Sequence, residues 1–402
     1  MVFQPYLTAS GGGNVVAAYI IEALKNEYAV SILTWEPVDF DEINRLFGSS
    51  LKRSELSAIT APRLLTLLAK VNPLNPVLSS FERGLLLRLC KKMRNDFDVI
   101  ISVNNEADFD RRGIQYFHEP PYWISESHEK PTLSLSRLSR HSLSTLFRGE
   151  LRPWMRLCDF SFERMKHNLT LVNSKWTGRK LKEIYGFESK TVYPPVAGDF
   201  PEVPWGQREN GLVCIGRIIP SKNFETLIEI TARVRRTVPE AHLHIIGTKD
   251  ESRAYLKRLQ RLAKDRAWLT LSENVTRREL EGLVTSHRYG IHGMVNEPFG
   301  IAVAEMMHAG CIVFVPRGGG QHEIIGADDR LTFGTVDEAV RKITRVMQNR
   351  DEQDSLRKYL RPKRTQFSKE RFMRQIQQVV EGFADAHCPP DAMTLTRSRP
   401  LG

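Results

Sequence analysis

The chain has 402 residues, too many for one ordinary hydrophobic core, and reads as about two domains. Its 41% hydrophobic and 26% charged residues are ordinary for a soluble globular protein. A net charge of +11 fits either simply a soluble protein with a basic surface or an anionic partner, such as a phosphate-bearing substrate or an anionic membrane face. Nucleic acid is disfavoured, because neither paired Cys and His ligands nor an aromatic RNP stretch is present.

The five cysteines, Cys90, Cys158, Cys214, Cys311 and Cys388, are odd in number, far apart and without a CxxC pair. That argues against a disulfide framework or a cysteine zinc site and for a reducing compartment. Met1 to Gln4 lacks the basic start of a signal peptide, and no run reaches the roughly 18 apolar residues that span a bilayer. The expected location is cytoplasmic, possibly peripheral at the cytoplasmic face of a membrane.

Val2 and Phe3 begin a short strand, Gly11-Gly12-Gly13-Asn14 forms a glycine loop, and VVAAYIIEALKN is an amphipathic helix. The strand AVSILTW follows and completes a βαβ opening. Residues 41–95 read as mostly helical, broken at PLNPV (73–77). DVIISV (98–103) reads as a buried parallel strand, and IQYFHEPP (114–121) as a short strand running into a proline loop. Residues 130–167 interleave Arg and Ser with Leu, as in a solvated helix pair or an interfacial helix. NLTLVNS is a strand, KWTGRKLKEIYG a helix, KTVYPPV an extended segment and DFPEVPWGQREN a linker.

At Gly211 the pattern restarts. LVCIG, AHLHIIG, WLTLSEN, YGIHGM and CIVFVP read as strands, separated by the helices NFETLIEITARVRR, one ending near 265, RRELEGLVTSH and GIAVAEMMHAG. Strands alternating with helices mean parallel α/β layers, and the restart means two of them. The predicted units are an N-terminal Rossmann-like domain at 1–200, a second at 207–367, and a tail, 368–402, whose long helix crosses back onto the first.

The chemistry concentrates in NEPFGIAVAEMMHAG (296–310). Pro298 fits a helix start, and Gly300 lets the backbone approach another group closely. The first N–H groups of that helix and its dipole form an anion site suited to phosphate. Glu297 precedes the helix and Glu305 lies within it, so one carboxylate could hold a sugar and the other the hydroxyls of a nucleoside. The plainer alternative is a helix-start charge plus one exposed glutamate. Arg217 and Lys222 of GRIIPSKN follow a strand and precede a helix, the place where open α/β sheets bind ligands. Two cations there would offset a diphosphate leaving group.

With these residues in view, the chain resembles the retaining GT-B glycosyltransferases of family 4. The resemblance rests on Glu297-Pro-Phe-Gly-Ile-Ala-Val-Ala-Glu305, the pair Arg217 and Lys222, the loop Gly11-Gly12-Gly13, and Tyr116-Phe117-His118. It covers roughly residues 1–375. LVNSKWT (171–177), TVYPP (191–195) and GIHGMVNEPFGIAVAEMMHAG (290–310) are similar to the GDP-mannose-dependent alpha-mannosyltransferases that extend lipid-linked oligosaccharides. The implied fold is GT-B, two Rossmann-like doubly wound domains facing across a cleft. The implied activity is retaining transfer of a sugar, most readily mannose from GDP-mannose, to an acceptor hydroxyl on a lipid-linked sugar, glycan or small molecule. A UDP-sugar donor is the alternative, followed by a same-fold sugar-nucleotide epimerase or hydrolase.

The resemblance also implies roles. Glu297 contacts the donor sugar and stabilises positive charge at its anomeric carbon. His118 reaches the donor sugar or acceptor from the facing domain. Backbone N–H groups of Phe299, Gly300 and Ile301 hold the diphosphate, Arg217 and Lys222 neutralise it, and Glu305 binds the ribose. Gly12 and Gly13 let the first loop approach phosphate or acceptor, and the base lies near Ser272 to Val275, at Asn274 and Val275. His292 flanks the donor site, either as a packed histidine or as a participant. Asn173 reads as a helix N-cap. The Asp-Phe-Asp triplets at 39–41, 96–98 and 108–110 are assigned to chance and capping, so no metal and no cofactor beyond the donor is expected. The chain departs from the family's Gly-Gly-Pro loop at Gly318-Gly319-Gly320-Gln321-His322-Glu323, which puts that loop's stiffness in question. It also shows no N-terminal membrane segment like that of the dolichol-pathway branch, so a dolichol-linked acceptor is not carried over.

Overall fold

The computed structural model describes residues 1–8, 11–62, 75–119, 159–248 and 253–387, with backbone alone for 75–82 and 387. The basic, leucine-interleaved stretch therefore lies outside the described residues up to 158, as do Pro73 and Leu74 of the proposed helix break.

Two parallel sheets carry the chain. The first has the order β3-β2-β1-β4-β5-β6-β7, with β1 Val2–Phe3, β2 Ser31–Thr34, β3 Ser57–Thr60, β4 Ile101–Ser102, β5 Ile114–Phe117, β6 Leu169–Val172 and β7 Lys190–Thr191. The second has the order β10-β9-β8-β11-β12-β13. Its strands are β8 Glu209–Arg217, β9 Leu243–Thr248, β10 Leu269–Glu273, β11 His287–Ile291, β12 Ile312–Pro316 and β13 Thr332–Phe333. Each sheet reverses its winding once, between β1 and β4 and between β8 and β11, and such reversals open a crevice at the carboxyl ends of the strands.

Burial explains which strands the sequence announces. In β12 all five residues are buried, so the segment is a continuous apolar run, as a strand covered on both faces requires. β3 behaves oppositely. Its Ser57, Ala58 and Thr60 are exposed, and it pairs only with β2 at the sheet edge. With only Ile59 partly buried it has little hydrophobic signature, so the helical reading of 41–95 is corrected here to the helix Phe40–Phe47, the strand β3 and the helix Asn75–Lys92. A second correction falls at the glycines. The first helix begins at Gly12, so Gly12, Gly13 and Asn14 form its first turn instead of a loop.

Around the second sheet, residues such as Leu212, Tyr289, Met306, Phe314 and Phe367 form one continuous core. The first sheet has its own core, and the terminal helix Lys369–His387 joins it. Phe372, Ile376, Val379, Val380 and Phe383 pack with Val16, Ile20 and Ile21 of the helix Gly12–Leu24. The chain thus crosses between the two layers a second time, at its far end.

Candidate active site

The chemistry-bearing residues collect at the two winding reversals. β8 ends at Arg217, which is exposed. A single tight turn, Pro220–Lys222, then leads through Asn223, in the left-handed region, into the helix Phe224–Val234. This places Lys222 back under the end of β8, its aliphatic stem beside Gly216. β11 ends at Ile291, and His292 through Glu297 run outward from its carboxyl end.

There Lys222, His292 and Glu297 meet. Glu297 Oε2 accepts from Lys222 Nζ at 2.5 Å and faces His292 Nε2 at 3.1 Å. Burial alone would favour the protonated carboxyl, but the hydrogen bond from His292 and the charge of Lys222 outweigh it and hold Glu297 at about 2. The carboxylate is therefore ionised throughout the neutral range. Burial, with Lys222 nearby, lowers the basicity of His292. A ring that donates through Nε2 keeps its buried Nδ1 unpartnered. His292 is thus both a packed histidine and a direct partner of Glu297.

Gly300 starts the helix Ile301–His308 with φ 96° and no side-chain cap. Phe299 is buried against Tyr193 and Phe367. The helix start is therefore fixed from behind while its leading N–H groups keep no side chain of their own over them. From the first domain, Gly12 comes so close that a Cβ there would lie 2.7 Å from Ile301 Cδ1. A Cβ on Gly13 would lie 3.4 Å from His118 Nε2. His118 Nε2 donates to Val103 O at 2.8 Å, and burial lowers its pKa to about 4, so the ring is neutral. The two glycines therefore bring the first turn of a helix against both His118 and the facing helix start.

Glu305 is 7% exposed and already engaged. It pairs with Arg277, which also donates to Glu281 at 3.0 Å and to Ala197 O and lies 5.3 Å over the Phe200 ring. Any ligand that reaches Glu305 would have to share or displace that guanidinium. Asn274 takes a left-handed turn just after β10, its N–H donating to Gly247 O at 2.9 Å, and Val275 leads into the helix Arg277–Thr285. Both lie at the carboxyl edge of the second sheet.

Several site residues escaped the sequence. Glu323 accepts from the N–H groups of Lys175 and Trp176 at 2.9 and 2.8 Å and from Tyr193 OH at 2.9 Å. Ser174 Oγ donates to Pro298 O at 2.6 Å. LVNSKWT and TVYPP thus fasten the first layer to the NEPFG loop and to Glu323, a role the sequence did not indicate. Ser174 is the N-cap of the helix Lys175–Tyr185, which corrects the assignment to Asn173. Asn173 donates its side-chain amide to His118 O instead. The glycine loop after β12 is held without proline. The amide of Gln321 donates to Met294 O, Pro316 O and Gly318 O, each at 3.1 Å, and Gly320 N–H donates to Glu297 O at 2.8 Å. Of the Asp-Phe-Asp triplets, Asp39 caps the helix Phe40–Phe47, and Asp108 is buried with Lys91 and Arg164, each at 2.8 Å.

Two parallel doubly wound sheets facing across such a cleft are the GT-B architecture of glycosyltransferases. Residues 198–363 match the family described as "Glycosyl transferases group 1". A GDP-Man:Man(3)GlcNAc(2)-PP-Dol alpha-1,2-mannosyltransferase from Dictyostelium discoideum is 26% identical over 239 residues, which are 53% of this chain and 47% of that protein. The chain thus spans about half the length of this curated relative. Sucrose-phosphate synthase from Thermosynechococcus elongatus superposes with a TM-score of 0.68 at 15% identity, covering 96% of this chain and 98% of that one. WaaG, a glycosyltransferase involved in lipopolysaccharide biosynthesis, gives 0.67 at 14% identity, covering 96% and 99%. At such identities the two structures establish the fold.

Proposed function

We propose that the chain is a retaining glycosyltransferase that moves a hexose, most readily mannose from GDP-mannose, onto a hydroxyl of a lipid-linked sugar or glycan. The observation that carries this reading is the Lys222–Glu297–His292 cluster beside the side-chain-free helix start at Gly300, with Gly12 and His118 opposite. The donor preference is supported by the activity named for the relative and by the three stretches similar to that branch.

In this reading the diphosphate lies on the N–H groups of Phe299, Gly300 and Ile301, with Arg217 and Lys222 neutralising its charge. Glu305, shared with Arg277, takes the ribose, and the base lies along Asn274 and Val275. Glu297, ionised at neutral pH, stands by the anomeric carbon as it becomes cationic. The sugar–phosphate bond breaks and the acceptor oxygen bonds the anomeric carbon on the same face. The acceptor proton passes to the leaving phosphate oxygen. His118, neutral, orients the sugar or acceptor as a hydrogen-bond partner. The charge is managed by protein cations and a helix start, so the scheme uses no metal and no cofactor besides the donor. No helix among the described residues is long and apolar enough to cross a membrane. The proposed place of action is the cytoplasm, with peripheral contact at a membrane face.

The test incubates the protein with radiolabelled GDP-mannose and a short-chain lipid-linked mannosyl acceptor, and reads product anomery by NMR. An alpha-mannoside absent with Glu297→Gln supports the proposal. Transfer from UDP-sugars alone would move the donor assignment, and release of free mannose without acceptor transfer would mark a hydrolase.

A further inference from the structure

At the edge of the second sheet opposite the cleft, the starts of three adjacent strands bring Glu209, His242 and His287 together. Glu209 opens β8, His287 opens β11 beside it, and His242 immediately precedes β9. One ligand atom from each lies within 4.8 Å of the others. Glu209 Oε2 is 3.0 Å from His242 Nε2 and 4.0 Å from His287 Nε2. Yet neither Nε2 makes a hydrogen bond of normal geometry, and both atoms are buried. His287 as a whole is 1% exposed.

The outer nitrogens explain this. His287 Nδ1 lies 2.7 Å from Leu283 O, and His242 Nδ1 lies 3.4 Å from Glu240 O. A carbonyl only accepts, so each Nδ1 donates to its carbonyl and each Nε2 is the nitrogen turned toward Glu209. Two imidazole nitrogens and a carboxylate oxygen, the atoms by which these residues ligate metals, therefore converge at one point. The His242 and His287 ring centroids are 5.4 Å apart, with the His244 ring 5.4 Å from His287. An imidazole whose far nitrogen donates to a carbonyl is the form in which histidine binds metals. Tetrahedral zinc ligands at about 2.0–2.2 Å from the ion stand roughly 3.3 Å apart, between the two separations seen here. Gly211 completes the arrangement, since any Cβ there would collide with His242 Nε2.

We propose that Glu209, His242 and His287 bind a divalent zinc-like cation, with solvent as the fourth ligand, tying the starts of β8, β9 and β11 together. Glu209 is half-exposed and provides the route of entry. The site is structural and remote from the cleft, so it stands independently of the transferase reading and of the absence of cysteine pairs.

The test loads the full chain, stripped with chelator, with zinc alone or cobalt alone, and measures bound metal after gel filtration. About one zinc per chain is expected, with visible cobalt absorption bands of a four-coordinate nitrogen–oxygen site. Glu209→Ala, at a half-exposed position that leaves the core intact, and His242→Ala should each weaken binding by roughly tenfold or more with circular dichroism unchanged. Substoichiometric zinc in the wild type, or equal binding by the variants, would overturn the proposal.

Discussion

At the residue scale, the informative group is Glu297. Its folded-state carboxyl titrates near 2, against 4.5 for the free group, because the His292 bond and the Lys222 charge outweigh its burial. A depressed carboxyl pKa contributes stability that is fully present above about 4.5 and is lost as pH falls toward 2. The displacement corresponds to about 3 kcal/mol at neutral pH. Urea unfolding of Glu297→Gln should therefore lose stability less steeply between pH 5 and 2 than the wild type. Parallel slopes would mean that the carboxylate is not held this way. The same substitution should lower kcat by about two to three orders of magnitude, the usual cost of removing one group that stabilises transition-state charge, with a smaller change in KM. A loss confined to KM would assign Glu297 to binding alone.

At the element scale, the connection between layers rests on the helix Lys175–Tyr185. Its first two N–H groups donate to Glu323 and its cap residue Ser174 donates to Pro298 O. Hydrogen bonds to a charged acceptor contribute about 1.5–3 kcal/mol each, and a carboxylate at a helix start adds to that. Glu323→Ala should cost about 2–4 kcal/mol in unfolding, and hydrogen exchange at residues 175–177 should accelerate. Unchanged exchange there would show that the clamp is not formed in solution. This level also separates what was legible from what was not. The buried strands β6, β9 and β12 were readable because each is a compact apolar run between turn residues. Edge strand β3 was not, since three of its four residues face solvent, and β13 offers only two residues. Within the candidate site, Glu297, Gly300 and Glu305 share one short segment, so local spacing was enough to single them out. Glu323 meets Lys175 across 148 positions and Arg277 meets Glu305 across 28. Pairings of that range are set by the packing of whole layers and leave no local period in the sequence.

At the scale of the whole molecule, the terminal helix completes the first domain's core after the chain has finished the second. Phe372 is 1% exposed among residues of that core. Phe372→Ala should therefore destabilise by about 3–5 kcal/mol, as deletion of a buried aromatic ring does. Differential calorimetry should show the transition of the first domain shifting. A shift confined to the second domain would contradict the crossing.

The cleft joins these scales, and its central claim is that it binds a nucleotide sugar between the helix start at Gly300 and the buried pair Glu305–Arg277. The direct measurement is a thermal-shift titration of GDP, UDP, ADP and their sugar forms against the wild type and Glu305→Ala. A ligand at about 100 times its Kd should add about 2.7 kcal/mol of stability. The account predicts that shift for GDP and GDP-mannose with the wild type, and its loss with Glu305→Ala. No shift with any nucleotide, or an equal shift in the variant, would contradict it.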